Sequence, residues 1–386
     1  MNAPELCTSD RQCPPNNTCY KSNCIAACSG QGDCLSDEIC KNQRCLPHGE
    51  RCLPTDRRCS ELQPQVCGAD ARWSNDGEAC AIACKGGGCF IPNSCRDLPT
   101  CGAADDSCCA NDPVPGGDFN LTYEVRTDVA DIMTVPRTVR PFTLDRFEVT
   151  VSRFYLFLTA FDTARSPAEE SGGQPGYPDS GWRREWDENP VFVPPSADSL
   201  EKGITSCGSW RGVDDGSLPM HCVNWFVAMA FCIWDGGRLP TEAEWAFAAM
   251  AGNDHRAYPW SSNSDDKQIG QERACYWDDA HDWTDRQDVG TRPAGAGAYG
   301  HQDLAGNVSE WTADGYQSVL NQDDCRAETS ERPLDDCKTQ QVTSTRVQRG
   351  GAYVSFDDEL LNTFRTNDVP ERRDATVGFR CARDWN

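Results

Sequence analysis

Gly237-Arg238-Leu239-Pro240-Thr241-Glu242-Ala243-Glu244-Trp245 carries the clearest local instruction in this chain. Thr241 and Glu244, three residues apart, form a capping box, in which the hydroxyl and the carboxylate each satisfy a backbone N–H at a helix start. Pro240 and Trp245 stand at the two positions of a hydrophobic staple, so a helix is expected to begin after Thr241. Two more helices are legible upstream. Thr150 can cap a helix whose apolar face is Phe154, Phe157, Leu158 and Phe161, and Trp225, Ala228, Phe231 and Cys232 repeat at the same spacing. Phe142-Thr143-Leu144-Asp145-Arg146-Phe147-Glu148-Val149 alternates as a strand should. Short strands are expected at Arg346–Arg349 and Val377–Arg380. Beyond Gly252 the chain turns to Gly, Asp and Pro with scattered aromatics, the pattern of long loops on a small scaffold.

The N-terminal third is built differently. Eighteen of the 25 cysteines lie between Cys7 and Cys109. This stretch is too polar to bury a core, and short chains of that kind are stapled by disulfides or metals. It has no CxxC pair and only His48, so disulfides fit better than zinc. Cys7, Cys13, Cys19 and Cys24 are spaced six, six and five apart, and Cys28, Cys34, Cys40 and Cys45 repeat those steps 21 residues later. Residues 1–50 thus read as a two-copy repeat, each copy closing two bridges of undetermined connectivity. Residues 51–112 read as a second cysteine-rich module ending in a linker at Asn111-Asp112-Pro113-Val114-Pro115-Gly116-Gly117. A large domain is expected over 113–386.

Stable disulfides place the chain in an oxidising, extracytoplasmic compartment. Met1-Asn2-Ala3-Pro4-Glu5-Leu6 has neither a basic start nor an apolar run, so an export signal is expected to have been removed or to lie upstream. That leaves room for a lipid anchor, and no apolar stretch is long enough for a transmembrane segment. The formal net charge of −24 argues against nucleic acid and anionic membrane surfaces.

Six segments, in order, resemble the formylglycine-generating enzyme family, also called sulfatase-modifying factor domains. They are Leu144–Thr150, Gly237–Trp245, Tyr258-Pro259-Trp260, Asp303–Trp311, Arg349-Gly350-Gly351 and Gly378–Cys381. The resemblance covers about residues 113–386 and excludes the cysteine-rich region. It implies an α+β fold of the C-type lectin kind, loop-rich and here preceded by small disulfide-rich modules. It also implies a disulfide between Cys232 and Cys381. Cys207 and Cys222 bracket one loop and are candidates to pair, as are Cys325 and Cys337 around another. Cys275 is then left over, and an odd total leaves at least one thiol free or bonded elsewhere.

The segment from Asp303 to Glu310 is similar to a calcium loop of the family. The resemblance implies side-chain oxygens from Asp303 and Glu310 and backbone carbonyls from Gly306 and Val308, a donor set suited to a hard cation. A second family calcium site would fall near Ala274-Cys275-Tyr276, where Cys275 replaces the usual Asn. For catalysis the family uses copper(I) held by two thiolates, which that soft ion requires. The aligned positions are Ser355 and Leu360. Ala352 stands where a serine is expected and Ser309 where a tryptophan is. Copper chemistry of the family type is therefore not expected. His221 and His301 are read as ordinary polar residues near the surface.

The expected function is a non-catalytic, calcium-stabilised binding or scaffold module, secreted or attached to a bacterial surface. The alternative is a metal-dependent oxidase acting on a cysteine substrate through an unrecognised site, with Cys275 as its first suspect. Such domains are similar to the display proteins of variable-protein systems, whose ligand contacts lie on C-terminal loops. The matching stretch here, 353–373, offers Tyr353, Phe356, Asn362, Arg365 and Arg372 as contacts for a protein or other surface ligand.

Overall fold

The computed structural model describes residues 91–384 apart from 96–99, 126–130, 175–179, 209–211, 279–284 and 319–344, and short strands and their surroundings before residue 91. The chain divides into two compact units, Met1–Phe90 and Ile91–Asp384, the second holding all but the last two of the remaining residues.

The first unit consists of small antiparallel hairpins. Asn17–Tyr20 pairs with Asn23–Ala26, setting Cys19 opposite Cys24. Glu38–Lys41 pairs with Arg44–Pro47 in the same way, setting Cys40 opposite Cys45. The 21-residue sequence period is thus a structural period of one hairpin per copy. Cys80 and Cys89 form a disulfide.

The second unit begins earlier than the sequence suggested. Asn111–Val114, read as a linker, is strand β1, which pairs with Phe142–Asp145. The reason is polar as well as apolar: Asn111 and Asp112 are buried and bonded to arginines of the large domain. Ser94 is also enclosed, donating its backbone N–H to Asp235 and accepting from Arg153. Two nested disulfides, Cys95–Cys109 and Cys101–Cys108, assign the vicinal pair to different partners.

Strands β2 (Gly117–Val125) and β3 (Asp131–Val139) form a nine-pair ribbon whose inner face carries Phe119, Leu121, Tyr123, Val135 and Val139. Strand β4 (Phe142–Asp145) lies between β1 and the C-terminal strand Ala382–Asp384. Helix α1 (Val151–Ala164) starts at Thr150, whose side chain accepts from the Arg153 N–H, and buries the four residues expected of it. Helix α2 (Ala197–Cys207) is capped by Ser196 and α3 (Trp225–Trp234) by Asn224. Helix α4 (Glu242–Met250) has the complete capping box of Thr241 and Glu244.

Phe154 and Phe157 of α1 meet Phe231 of α3, and Phe231 meets Phe379 edge to face. These rings centre the main core, each worth several kcal/mol if truncated, roughly 3–5. The remaining sheet has four strands: β7 (Thr366–Asp368), β6 (Arg346–Arg349), β5 (Ser309–Gly315) and β8 (Val377–Gly378), with β8 parallel to β5.

Cys207–Cys222 and Cys232–Cys381 are both formed. Cys325 and Cys337 lie outside the described residues. The Cys232–Cys381 bridge spans 149 residues and fastens the C-terminus to α3. By the chain-entropy argument a loop of that size contributes about 5 kcal/mol, a figure that native strain or denatured-state structure reduces. Replacing both cysteines by serine is expected to cost about 2–5 kcal/mol in chemical denaturation. An unchanged midpoint would show that the C-terminus is held without it.

Candidate functional site

The six motif segments converge inside the large unit. Glu148 leaves β4 just before the α1 cap and is buried. Its carboxylate accepts the Asn307 side-chain N–H at 2.8 Å and the Val308 backbone N–H at 3.1 Å. Asn307 has a left-handed backbone, φ 64°. It donates its own N–H to Cys275, accepts from Tyr353 through its carbonyl and from Gln287 through its side chain. One residue thereby fixes three loops.

Next to it, Arg380 forms a fork with Glu310. Arg380 Nη2 lies 2.7 Å from Glu310 Oε1 and Nε lies 2.8 Å from Oε2. Its remaining N–H groups reach the carbonyls of Asp145, Arg146 and Gln302. Trp245 Nε1 donates to Glu310 at 3.0 Å. Arg238 forks Glu244, the capping-box carboxylate, and also meets Asp384. Arg349 packs over Trp245, and burial lowers its pKa to about 10.

Glu148, Asp303 and Glu310 form a buried acidic group. Burial pushes Glu148 well above the usual carboxylate range, and the nearby Asp303 and Glu310 push it further. Burial raises Asp303 as well, against the Gly290 N–H that its carboxylate accepts at 2.6 Å. The Gly306 and Val308 carbonyls accept no hydrogen bond among the described residues. No three His, Cys, Asp or Glu side chains converge as a metal centre among those residues. A cation at this loop therefore has to use Asp303 and backbone oxygens, and to share Glu310 with Arg380.

The C-terminal loop differs from its expected surface. Asn362 is 1% exposed and donates to the carbonyls of Ala249 and Arg256. Arg365 is 5% exposed, forks Glu242 and lies over Tyr123 and Tyr316. Tyr353 is 8% exposed and packs with Cys275 and Ala352. These three are corrected from exposed ligand contacts to framework residues, because the loop folds inward: Asn362 bonds the end of α4, Arg365 pairs with Glu242 at its start, and the Tyr353 N–H donates to the Asn307 carbonyl. Arg372 is open to solvent and pairs with Asp368 and Asp374. Phe356 is 54% exposed and stands against Trp277, which the sequence reading missed. His221 and His301 are buried rather than near the surface, and burial pushes His301 down to about 4.

Ser355 Oγ accepts the Ala352 N–H at 3.1 Å. Leu360 is buried with Ala257, Tyr258, Ala274, Tyr276 and Ala305. Cys275 is a buried free thiol, held protonated because burial pushes its pKa up to about 12.

The profile of the sulfatase-modifying factor enzyme 1-like domain matches residues 105–385. The chain belongs to the sulfatase-modifying factor family. It is 31% identical over 298 residues to the formylglycine-generating enzyme of Thermomonospora curvata, covering 70% of this chain and 92% of that one. It is 32% identical over 304 residues to the inactive C-alpha-formylglycine-generating enzyme 2 of Bos taurus, covering 70% and 86%. Among solved structures, PvdO from Pseudomonas aeruginosa matches with a TM-score of 0.49 at 20% identity, over 76% of this chain and 98% of that one. The family domain here has the loop-rich α+β, C-type-lectin-like fold, with five of the six short motifs meeting around buried ion pairs and Tyr258-Pro259-Trp260 in the small apolar cluster beside them.

Removing one partner of a buried ion pair costs about 3–5 kcal/mol, because the other charge is left without compensation. Arg380→Ala is expected to lose that much in equilibrium denaturation, since it strands Glu310 beside two further carboxylates. Arg372→Ala, on the surface, is expected to shift stability by less than about 1 kcal/mol. Equal losses in the two variants would contradict this assignment.

Proposed function

We propose that this chain is a non-catalytic, extracytoplasmic member of the family that works as a binding or scaffold module. The observation that carries the reading is chemical. At the two positions where the family resemblance calls for copper-binding thiolates, Ser355 uses its hydroxyl on a backbone N–H and Leu360 offers no ligand atom. Sequence identity does not discriminate, being 31% to an enzyme and 32% to a relative named inactive. The residues do. Cys275 is a poor substitute, since a thiol held near pKa 12 supplies almost no thiolate near neutral pH. The disulfides support an oxidising compartment, and no helix among the described residues is long and apolar enough to cross a membrane.

Calcium at Asp303, Gly306, Val308 and Glu310 is part of the same proposal. Two carbonyls without hydrogen bonds beside an excess of buried carboxylate support it. The ion would bind and brace the loop between Asn307 and Glu310. Adding calcium to chelator-treated protein is expected to raise Tm by about 5 °C at saturation, and Asp303→Asn to remove that response. No response in the unaltered chain would contradict the site.

The catalytic alternative is tested by mass spectrometry of a cysteine peptide incubated with the protein, copper(I) and oxygen. The expected result is unchanged peptide beyond the background of a no-protein control. Stoichiometric conversion to an aldehyde would overturn the non-catalytic reading.

A further inference from the structure

Cys207 and Cys222 form a disulfide whose two ends are unlike. Cys222 is fully buried, while Cys207, the last residue of α2, is half-buried. His221 sets its ring Nδ1 3.3 Å from Cys222 Sγ. A disulfide sulfur has no proton to give, so the ring N–H is the donor in that contact. Gly208 keeps the ring in place. A β-carbon there would lie 2.7 Å from His221 Cε1 and 3.1 Å from Cys222 Sγ, so the chain leaving α2 packs directly on ring and sulfur.

These features give the bond a direction. In thiol–disulfide exchange the sulfur that is better stabilised as a thiolate leaves faster. A thiolate on Cys222 keeps the His221 N–H as its donor. A thiolate on Cys207 would face the negative end of the α2 dipole. The sulfur favoured for attack is thus the one on the less buried residue. Cys222 also carries a backbone cost, since its φ of 59° is a left-handed value that a non-glycine residue keeps only under constraint. The Asp374 carbonyl, which accepts its N–H at 3.0 Å, is one constraint and the cross-link to α2 is another.

We infer that Cys207–Cys222 is a thiol-exchange site whose substrate is an external dithiol. One thiol of the dithiol gives its proton to solvent and attacks Cys207 Sγ as a thiolate. A new S–S bond forms there, the Cys207–Cys222 bond breaks, and its electron pair leaves on Cys222 Sγ beside the His221 N–H. The second thiol then attacks the mixed disulfide and displaces Cys207. The dithiol departs as its own disulfide, two electrons have passed to the cysteine pair, and the C-terminal end of α2 is released from the segment leading into α3. Oxidising compartments contain such thiols, because disulfides are made and reshuffled there by the same exchange. The inference is independent of the binding-module reading.

The test uses the oxidised protein. Cys95–Cys109 is the internal reference, since it also joins a half-buried cysteine to a fully buried one. Dithiothreitol is added near neutral pH, free thiols are blocked at intervals, and each cysteine is read by peptide mass spectrometry. Cys207–Cys222 is expected to open about tenfold faster than Cys95–Cys109. With glutathione, a monothiol, the first mixed disulfide is expected on Cys207, leaving Cys222 as the free thiol. His221→Gln is expected to remove most of the rate advantage while Cys95–Cys109 keeps its rate, with thermal unfolding of the oxidised variant as the check on its fold. Equal rates for the two disulfides, or glutathione carried mainly by Cys222, would overturn the inference on the unaltered protein alone. So would an undiminished rate advantage in folded His221→Gln protein.

Discussion

The Arg380–Glu310 fork is the interaction on which the large domain depends. A guanidinium in the interior is tolerated only when its N–H groups are satisfied. Here they are met by one carboxylate and the carbonyls of Asp145, Arg146 and Gln302. Those partners belong to the end of β4 and the turn after it, the loop before β5, and β5 itself. A chain with so little regular structure cannot orient its loops by packing alone. The buried ion pairs do that work, and Arg153 with Arg383 repeats the device around Asp145 and Asp235. Burial alone would raise the Asp145 pKa, but the two guanidinium groups hold it below the usual value.

Such an interior separates the fold from the chemistry. The motif residues are concentrated in the framework, where Glu148, Asn307, Trp245 and Arg380 hold one another. The positions that would decide catalysis, Ser355 and Leu360, lie on the adjoining loop and take part in none of these ion pairs. A thiolate can therefore be replaced by Ser355 or Leu360 while the scaffold remains, and Leu360 gains a place in a small apolar cluster. Of that loop, Phe356 is left exposed, set edge to face against Trp277.

The helices were legible because their caps and apolar spacings are local. Thr150 and Thr241 cap as their neighbours require, and Phe154 to Phe161 form one buried face. The hub was legible only through the resemblance, although a charge between apolar residues was a signal in Phe147-Glu148-Val149 and Phe379-Arg380-Cys381. Loop polarity was the misleading cue. Asn362 and Arg365 look like solvent residues in sequence, yet each satisfies a distant buried partner, Ala249 and Glu242. The linker reading failed for the same reason. Asn111 and Asp112 are turn-forming residues by composition, but Arg383 and Arg146 draw them inside.

The central claim is that this member of the family has lost the thiolate centre and kept the scaffold. Competition with a chromophoric copper(I) chelator, carried out on the oxidised protein, tests it most directly. The account predicts that the protein withdraws no stoichiometric copper(I) from the chelator, because Ser355, Leu360 and the protonated Cys275 provide no soft ligand pair. Tight binding of one equivalent, abolished by Cys275→Ser, would contradict it and return the chain to the oxidases.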